Sequence, residues 1–305
     1  MKKIIYVLLL GFAGLTSCDK VDNPYPVGNV LELDTTLYPG LWSDYLANEW
    51  TVFAPNGNTL RNILIEDFTG HLCTYCPLAA DTAHLLVYDY PGRAFAATIH
   101  SSPTGISGFQ ATSTEFPIDW TNTDGLAIGV YFGNMPGSSF TGNPRGSISR
   151  ILTGGQHTMS TAGWRPALVA ALPTALKVNI QSETNYYPTT RGVFLHTEVD
   201  VLDAGLTNDL YTVVYLIEDS LVAKQKMPNN TVEENYIHRD IMRDCINTDW
   251  KGRKLTESDK IDDKYYFNYS FALPAQYNPD NMHLLIYVRD AVTDEVYHVV
   301  KQNIN

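Results

Sequence analysis

The sequence predicts an α/β domain followed by an all-β domain, and three observations predict it. A strand, a cysteine-bearing loop, a helix and a second strand follow one another between Asn62 and His100. After about residue 175 the texture changes to six short apolar stretches separated by turn signals. Ahead of both stands a short charged and apolar start that has the pattern of an export signal rather than of a fold.

Lys2 and Lys3 form that charged start, and Ile4 to Leu15 is apolar without a single charge. A stable membrane span needs about 20 apolar residues, so the run has the length of a signal-peptide core. It closes on Leu15-Thr-Ser-Cys18, which resembles the lipobox of bacterial lipoproteins. The expectation is a signal peptide over 1–17, lipid on Cys18, and a tether and N-terminal extension over 18–50. Pro24, Pro26 and Gly28 suit the tether. The expected membrane partner is reached through that lipid alone.

The chain has 305 residues, 44% of them apolar and 18% charged, enough for two cores. Its 19 tyrosines and 16 prolines suit a strand-rich extracytoplasmic protein. The net charge is −12 and there is no long basic block, so nucleic acid and anionic lipid surfaces are poor partners.

Asn62 to Thr69 reads as a buried strand. Pro77 opens a helix through Tyr88, with Ala79, Ala83, Leu86 and Val87 near helical spacing; Pro91-Gly92 ends it. Ala94 to His100 is a second buried strand, which implies parallel pairing across a right-handed crossover. Ser101 to Trp120 is rich in Ser, Thr, Gly and Pro and reads as a long loop or insertion. A helix over Thr123–Phe132, a strand over Arg145–Arg150 and a helix from Trp164 broken at Pro173 complete the first domain, 51–175. Strands are then expected at 176–181, 193–202, 210–217, 265–271, 283–289 and 296–300. Residues 193–201 alternate in part, as a half-exposed antiparallel strand should. The second domain, 176–305, is read as a β-sandwich resembling immunoglobulin-like domains.

Four cysteines remain to be allocated. Cys18 goes to lipid, Cys73-Thr-Tyr-Cys76 is a C-x-x-C, and Cys245 is left as a buried free thiol. At a helix start, unpaired N–H groups and the helix dipole favour the thiolate of Cys73, and Cys76 is close enough to resolve a mixed disulfide. This arrangement resembles the thioredoxin superfamily. The string Ile63-Leu-Ile-Glu-Asp-Phe-Thr-Gly-His-Leu-Cys-Thr-Tyr-Cys-Pro77 is similar, more specifically, to the Omp28-related outer-membrane lipoproteins of Bacteroidetes. So, more loosely, are Tyr236 to Arg243 and Trp250-Lys-Gly252.

The resemblance implies a thioredoxin-like first domain in which Asp67, six positions before Cys73, is a buried acid that moves protons for Cys76. It also implies a cis-proline facing the cysteines, assigned to Pro144, with Pro136 as its rival. Two departures stand out: the stretch from Cys76 to Pro144 is long, and His71 and Leu72 precede Cys73 where thioredoxins carry tryptophan.

Alternatives stay open. The cysteine pair is either a working exchange site with a protein thiol or disulfide as partner, or a static staple in a non-catalytic surface-binding lipoprotein. His71, Cys73, Cys76 and His84 offer zinc-type ligands, but no second paired motif accompanies them, and neither metal nor other cofactor is expected. His238 with Arg239, Asp240 and Arg243 reads as a structural polar cluster, because no nucleophile is near it in sequence; His100 ends a strand near the cysteine loop. Asp259, Asp262 and Asp263 read as a solvated loop. With no G-x-S-x-G, H-E-x-x-H or P-loop, hydrolase and nucleotide chemistry lack support.

Overall fold

The computed structural model describes residues 33–305. The expected signal peptide, Cys18 and the tether residues lie outside that range.

The apolar run after Arg61 forms β1 (Ile63–Thr69), and the cysteine loop leads into α2 (Cys76–Asp89) and β2 (Ala94–His100). β1 and β2 pair in parallel, from Ile63 opposite Ala94 to Thr69 opposite His100. The helix between them is the crossover that parallel strands require. β3 (Arg145–Ile148) adds antiparallel to the outer edge of β1.

On the other side of β2 the sheet continues with strands from the far end of the chain. These are β9 (Ile241–Cys245), β6 (Leu210–Glu218), β13 (Met282–Asp290) and β14 (Val296–Asn303), giving the order β14-β13-β6-β9-β2-β1-β3. β10 (Arg253–Lys254) also pairs with β6. The main sheet therefore runs across the division expected near residue 175. The physical reason is that β2 has one neighbour in β1 and fills its other edge with β9, in parallel, rather than leaving it open.

The second sheet has the order β11-β12-β5-β4, built from β4 (Val178–Tyr187), β5 (Gly192–Val201), β11 (Lys260–Ile261) and β12 (Lys264–Ala272). The six expected C-terminal strands are all present, three in each sheet. The result is a mixed α/β fold, mostly sheet. β7 (Leu221–Lys226) and β8 (Val232–His238), which sequence reasoning missed, form a separate two-stranded hairpin.

Strand alternation divides the core. Leu64, Phe68, Ile99, Tyr215 and Tyr287 face α3 (Thr123–Gly133), which contributes Ile128 and Phe132. On the opposite face, Ile63, Ile65, Ala94 and Ala96 pack under α2 and under α4 (Trp164–Ala171). On that side of β6 and β13, Val214, Leu216, Leu284 and Ile286 instead meet Val193, Leu195 and Phe267 of the second sheet.

β5 corrects another expectation. It is buried along Gly192–Val199 instead of half-exposed. Its second face is covered by α1 (Trp42–Asn48), in the region read as a mere extension. Tyr45 packs on Phe194 and its hydroxyl lies 2.6 Å from His196 Nε2.

Candidate functional site

Cys73 and Cys76 are joined by a disulfide at the C-terminal end of β1, and Cys76 is the first residue of α2 with Pro77 at its second position. It is thus Cys76 that opens the helix. Each cysteine is only 2% exposed.

Asp67 shares the α2-facing side of β1 with Ile63 and Ile65, opposite Thr98 of β2. It is fully buried, and neither carboxyl oxygen has a hydrogen-bond partner among the described residues. Burial pushes its pKa up to about 8, so the carboxyl is held protonated at neutral pH. Its neighbour Glu66 points the other way and is ion-paired to Arg150 at 2.7 Å, with Ser147 and Tyr215 donating to it as well. That guanidinium outweighs burial and holds Glu66 below the usual carboxylate range.

Asn143–Pro144 is cis, the one such bond among the described residues, so of the two expected prolines it is Pro144 that has this geometry. It opens directly into β3, whose Gly146 lies opposite Asp67.

Two segments cover the cysteine loop. The first is the Ser101–Trp120 stretch. Leu72 N–H donates to Phe109 C=O at 3.0 Å, and Gln110 Nε2 donates to Thr69 C=O at 2.6 Å and to Asn143 Oδ1 at 3.2 Å. This contact depends on Gly70, where a Cβ would stand 2.5 Å from the Phe109 oxygen. The second is the β7–β8 hairpin. Lys226 N–H donates to His71 C=O at 3.0 Å, and Gln225 Nε2 donates to Cys73 C=O at 3.3 Å. Neither Gln110 nor Gln225 carries a sequence signal for this role, because both act through side-chain amides on backbone far away in the chain.

A cavity of about 320 Å³ lies between α2 and the hairpin, reaching Cys76, Thr98, His100, Tyr236 and His238. The sequence puts no nucleophile near His238, but the fold brings it to the same cavity as Cys76. Arg243, expected in a cluster with His238, is instead paired with Glu218 at 2.9 Å, and its guanidinium lies 5.5 Å from the Trp120 ring. Of the possible zinc ligands, both sulfurs are spent in the disulfide and His84 lies exposed on α2. Cys245 is a buried free thiol in the α3-side core. Asp259 is buried, pairing with Arg253 at 2.8 Å, whereas Asp263 is exposed in the turn before β12.

A family model described as outer membrane protein Omp28 matches residues 138–305, more than half of the chain. The chain belongs to the Omp28 family. This Omp28-family protein is similar in fold to HBP35 of Porphyromonas gingivalis, with 16% identity over 82% of this chain and 77% of that one, at a TM-score of 0.60. A domain of the outer membrane lipoprotein Omp28 from the same organism matches with 22% identity over 42% of this chain and 88% of that one, at a TM-score of 0.31. A protein of Agrobacterium tumefaciens matches with 11% identity over 80% and 94% of the two chains, at a TM-score of 0.47. No curated protein matches the Omp28-family chain. The family is described as one of outer membrane proteins, and among the described residues of this member no helix is long and apolar enough to cross a membrane.

Proposed function

We propose that this protein is a lipid-anchored envelope protein, held by an acylated Cys18, whose thioredoxin-like portion exchanges disulfides through Cys73 and Cys76. The observation that carries the reading is Asp67. A carboxyl buried without a partner destabilises the fold, and a disulfide that only staples a helix start has no use for it. A leaving thiolate does. In the oxidised state a partner thiolate attacks Cys73 Sγ, the Cys73–Cys76 bond breaks, and Cys76 leaves as a thiolate that takes the Asp67 proton. A second partner thiolate then attacks the partner sulfur of the mixed disulfide and releases Cys73. Two electrons pass from the partner to the cysteine pair and the partner gains a disulfide; the two protons its thiols give to water on ionising are balanced by one that water returns to Asp67 and one that it gives to the Cys73 thiolate. Pro144 would align the partner strand beside Cys73, as the thioredoxin resemblance implies.

A second reading is favoured by the burial of both cysteines. In it the disulfide is structural, and binding falls to the layered strands of residues 178–303, the part read as an immunoglobulin-like sandwich.

Redox titration of the purified, unlipidated protein against glutathione, with trapping of Cys73 and Cys76, separates the two. A potential between about −270 and −120 mV, with exchange abolished by Cys73→Ser, is the expected result. A potential below about −300 mV with unreactive sulfurs would make the pair a staple.

A further inference from the structure

We propose that the β7–β8 hairpin is a hinged cap over the Cys73–Cys76 bond, seated at its hinge by a cluster of histidines and released when they take up protons. Its regulatory meaning rests on the exchange reading above; its mechanics do not.

The hairpin is built to move as a unit. It pairs with neither larger sheet, and an isolated two-stranded hairpin is marginally stable in water. It leaves β6 through Asp219-Ser220 and returns to β9 through Arg239-Asp240. Ser220 and Asp240 have φ of 61° and 50°, in the left-handed region that L side chains rarely adopt. The Asp219 carboxylate accepts from the N–H groups of both, at 2.7 and 3.3 Å, so one side chain clasps the two ends of the hinge. Near the far end of the strands, Gln225 and Lys226 bond the carbonyls of Cys73 and His71. Lifting the hairpin about its hinge breaks two hydrogen bonds there and removes one of the two covers of the cysteine loop.

His238, the last residue of β8, seats the hinge end of the hairpin. Its ring lies 4.8 Å from Trp120 and 6.2 Å from His100, and His100 lies 6.5 Å from His71. The three rings are 5%, 2% and 1% exposed as residues, and each carries a buried nitrogen without a partner among the described residues: His238 Nε2, His100 Nδ1 and His71 Nδ1. They belong to three separate segments, the hairpin, the end of β2 and the cysteine loop, so they join cap to base. Burial depresses all three basicities, that of His238 to about 4.

The surrounding charges do little to offset a proton placed there. Arg243 of β9 adds positive charge beside Trp120, and Tyr236 of β8 presents a ring edge to His238. Asp119 raises His71 slightly but is exposed, and Lys224 is paired with Glu234 across the hairpin. Glu115 stands at the outer rim of the cap; Asp81 and His84 of α2, with Glu233, Arg239 and Asp240, border the cavity on its other side. Asp67 of β1 titrates in the opposite sense, favouring a dry site when protonated, and so opposes acid opening wherever opening wets it.

The sign follows from these shifts. Groups less basic in the closed state than in water stabilise closure fully above the ordinary histidine value of about 6.5, and that contribution is lost as the pH falls below it. The open population grows by up to roughly tenfold per pH unit for each histidine that takes up a proton.

Hydrogen–deuterium exchange of the whole chain, corrected for intrinsic rates, tests the cap without reference to redox activity. Between about pH 7 and about pH 4.5 the amides of Leu221–His238 should lose at least about tenfold in protection while those of β1 and β6 keep theirs. In His238→Gln the ratio of the two hairpin rates should fall by about tenfold. Equal hairpin protection at the two pH values, loss of protection in β1, β6 and hairpin together, or a wild-type ratio in His238→Gln would each overturn the proposal. A staple-like potential alongside selective acid opening would instead sink the exchange reading and leave the cap standing.

Discussion

Glu66 and Asp67 are adjacent carboxyls on β1, and they meet opposite fates because successive side chains of a strand point to opposite faces. Glu66 turns to the face where Arg150, Tyr215 and Tyr287 converge and stays charged; Asp67 turns under α2, meets no partner among the described residues and is held neutral. The consequence for stability has a definite sign. The unfolded Asp67 ionises near pH 4, the folded one near 8, so its effect is absent below the first value and destabilises increasingly up to the second. Asp67→Asn should remove a loss of about 1.4 kcal/mol per pH unit across that window. Urea unfolding of both proteins at the two ends of the window checks this; parallel stability profiles would mean that Asp67 ionises freely. The burial of Asp67 was legible only through the thioredoxin resemblance, which implies a buried acid six positions before Cys73. That of Glu66 was not, since its partners lie 84 and 149 residues away in the chain.

Among elements, the strands recognised from sequence are those with a continuous or alternating apolar run, such as β1, β2, β6 and β13. The hairpin escaped notice because Leu221-Val-Ala-Lys-Gln-Lys226 and Val232-Glu-Glu-Asn-Tyr-Ile-His238 keep most of their side chains wet and so carry no core signal. β9 escaped because Ile241-Met-Arg-Asp-Cys245 is short and half polar, and its identity as a strand comes from β2 on one side and β6 on the other. β5 was found, but its second buried face was not, because the cover is α1, a helix of seven residues 144 positions upstream of β5's start. Tyr45 is what fastens that helix: it is fully buried, stacked on Trp42, and bonded to His196 and Asn185. Tyr45→Ala should cost about 3–5 kcal/mol, the range for a buried aromatic, measured by chemical denaturation. A loss under about 1 kcal/mol would mean that α1 is a loose adornment.

At the scale of the molecule, the sheet that bears the cysteine loop is held by residues from across the chain. Arg150 alone gathers Glu66 of β1, Tyr215 of β6 and Tyr287 of β13 around one buried guanidinium. The sequence suggests separable halves because the change of texture near residue 175 is real, yet it marks a change of layer and not an end of the sheet. A fragment of residues 51–175 should therefore fail to fold, leaving β2 without β9 and Glu66–Arg150 without its two tyrosines. Far-UV circular dichroism together with amide dispersion in a proton–nitrogen spectrum is the measurement, and a cooperative melt of that fragment would refute the expectation.

The parallel seam between β2 and β9 also has a chronology. A chain that emerges N-terminus first has made β1, α2 and β2 while β9 is still 140 residues from synthesis, counted from the end of β2 to its start. During that interval one flank of β2, a mostly apolar strand with three alanines, has no strand beside it and is a template for any other extended chain. Long-range pairing is also the slowest step a sheet protein takes. The interval before β9 docks is thus when the chain is most exposed to aggregation, and it is the interval in which holding chaperones have most to protect.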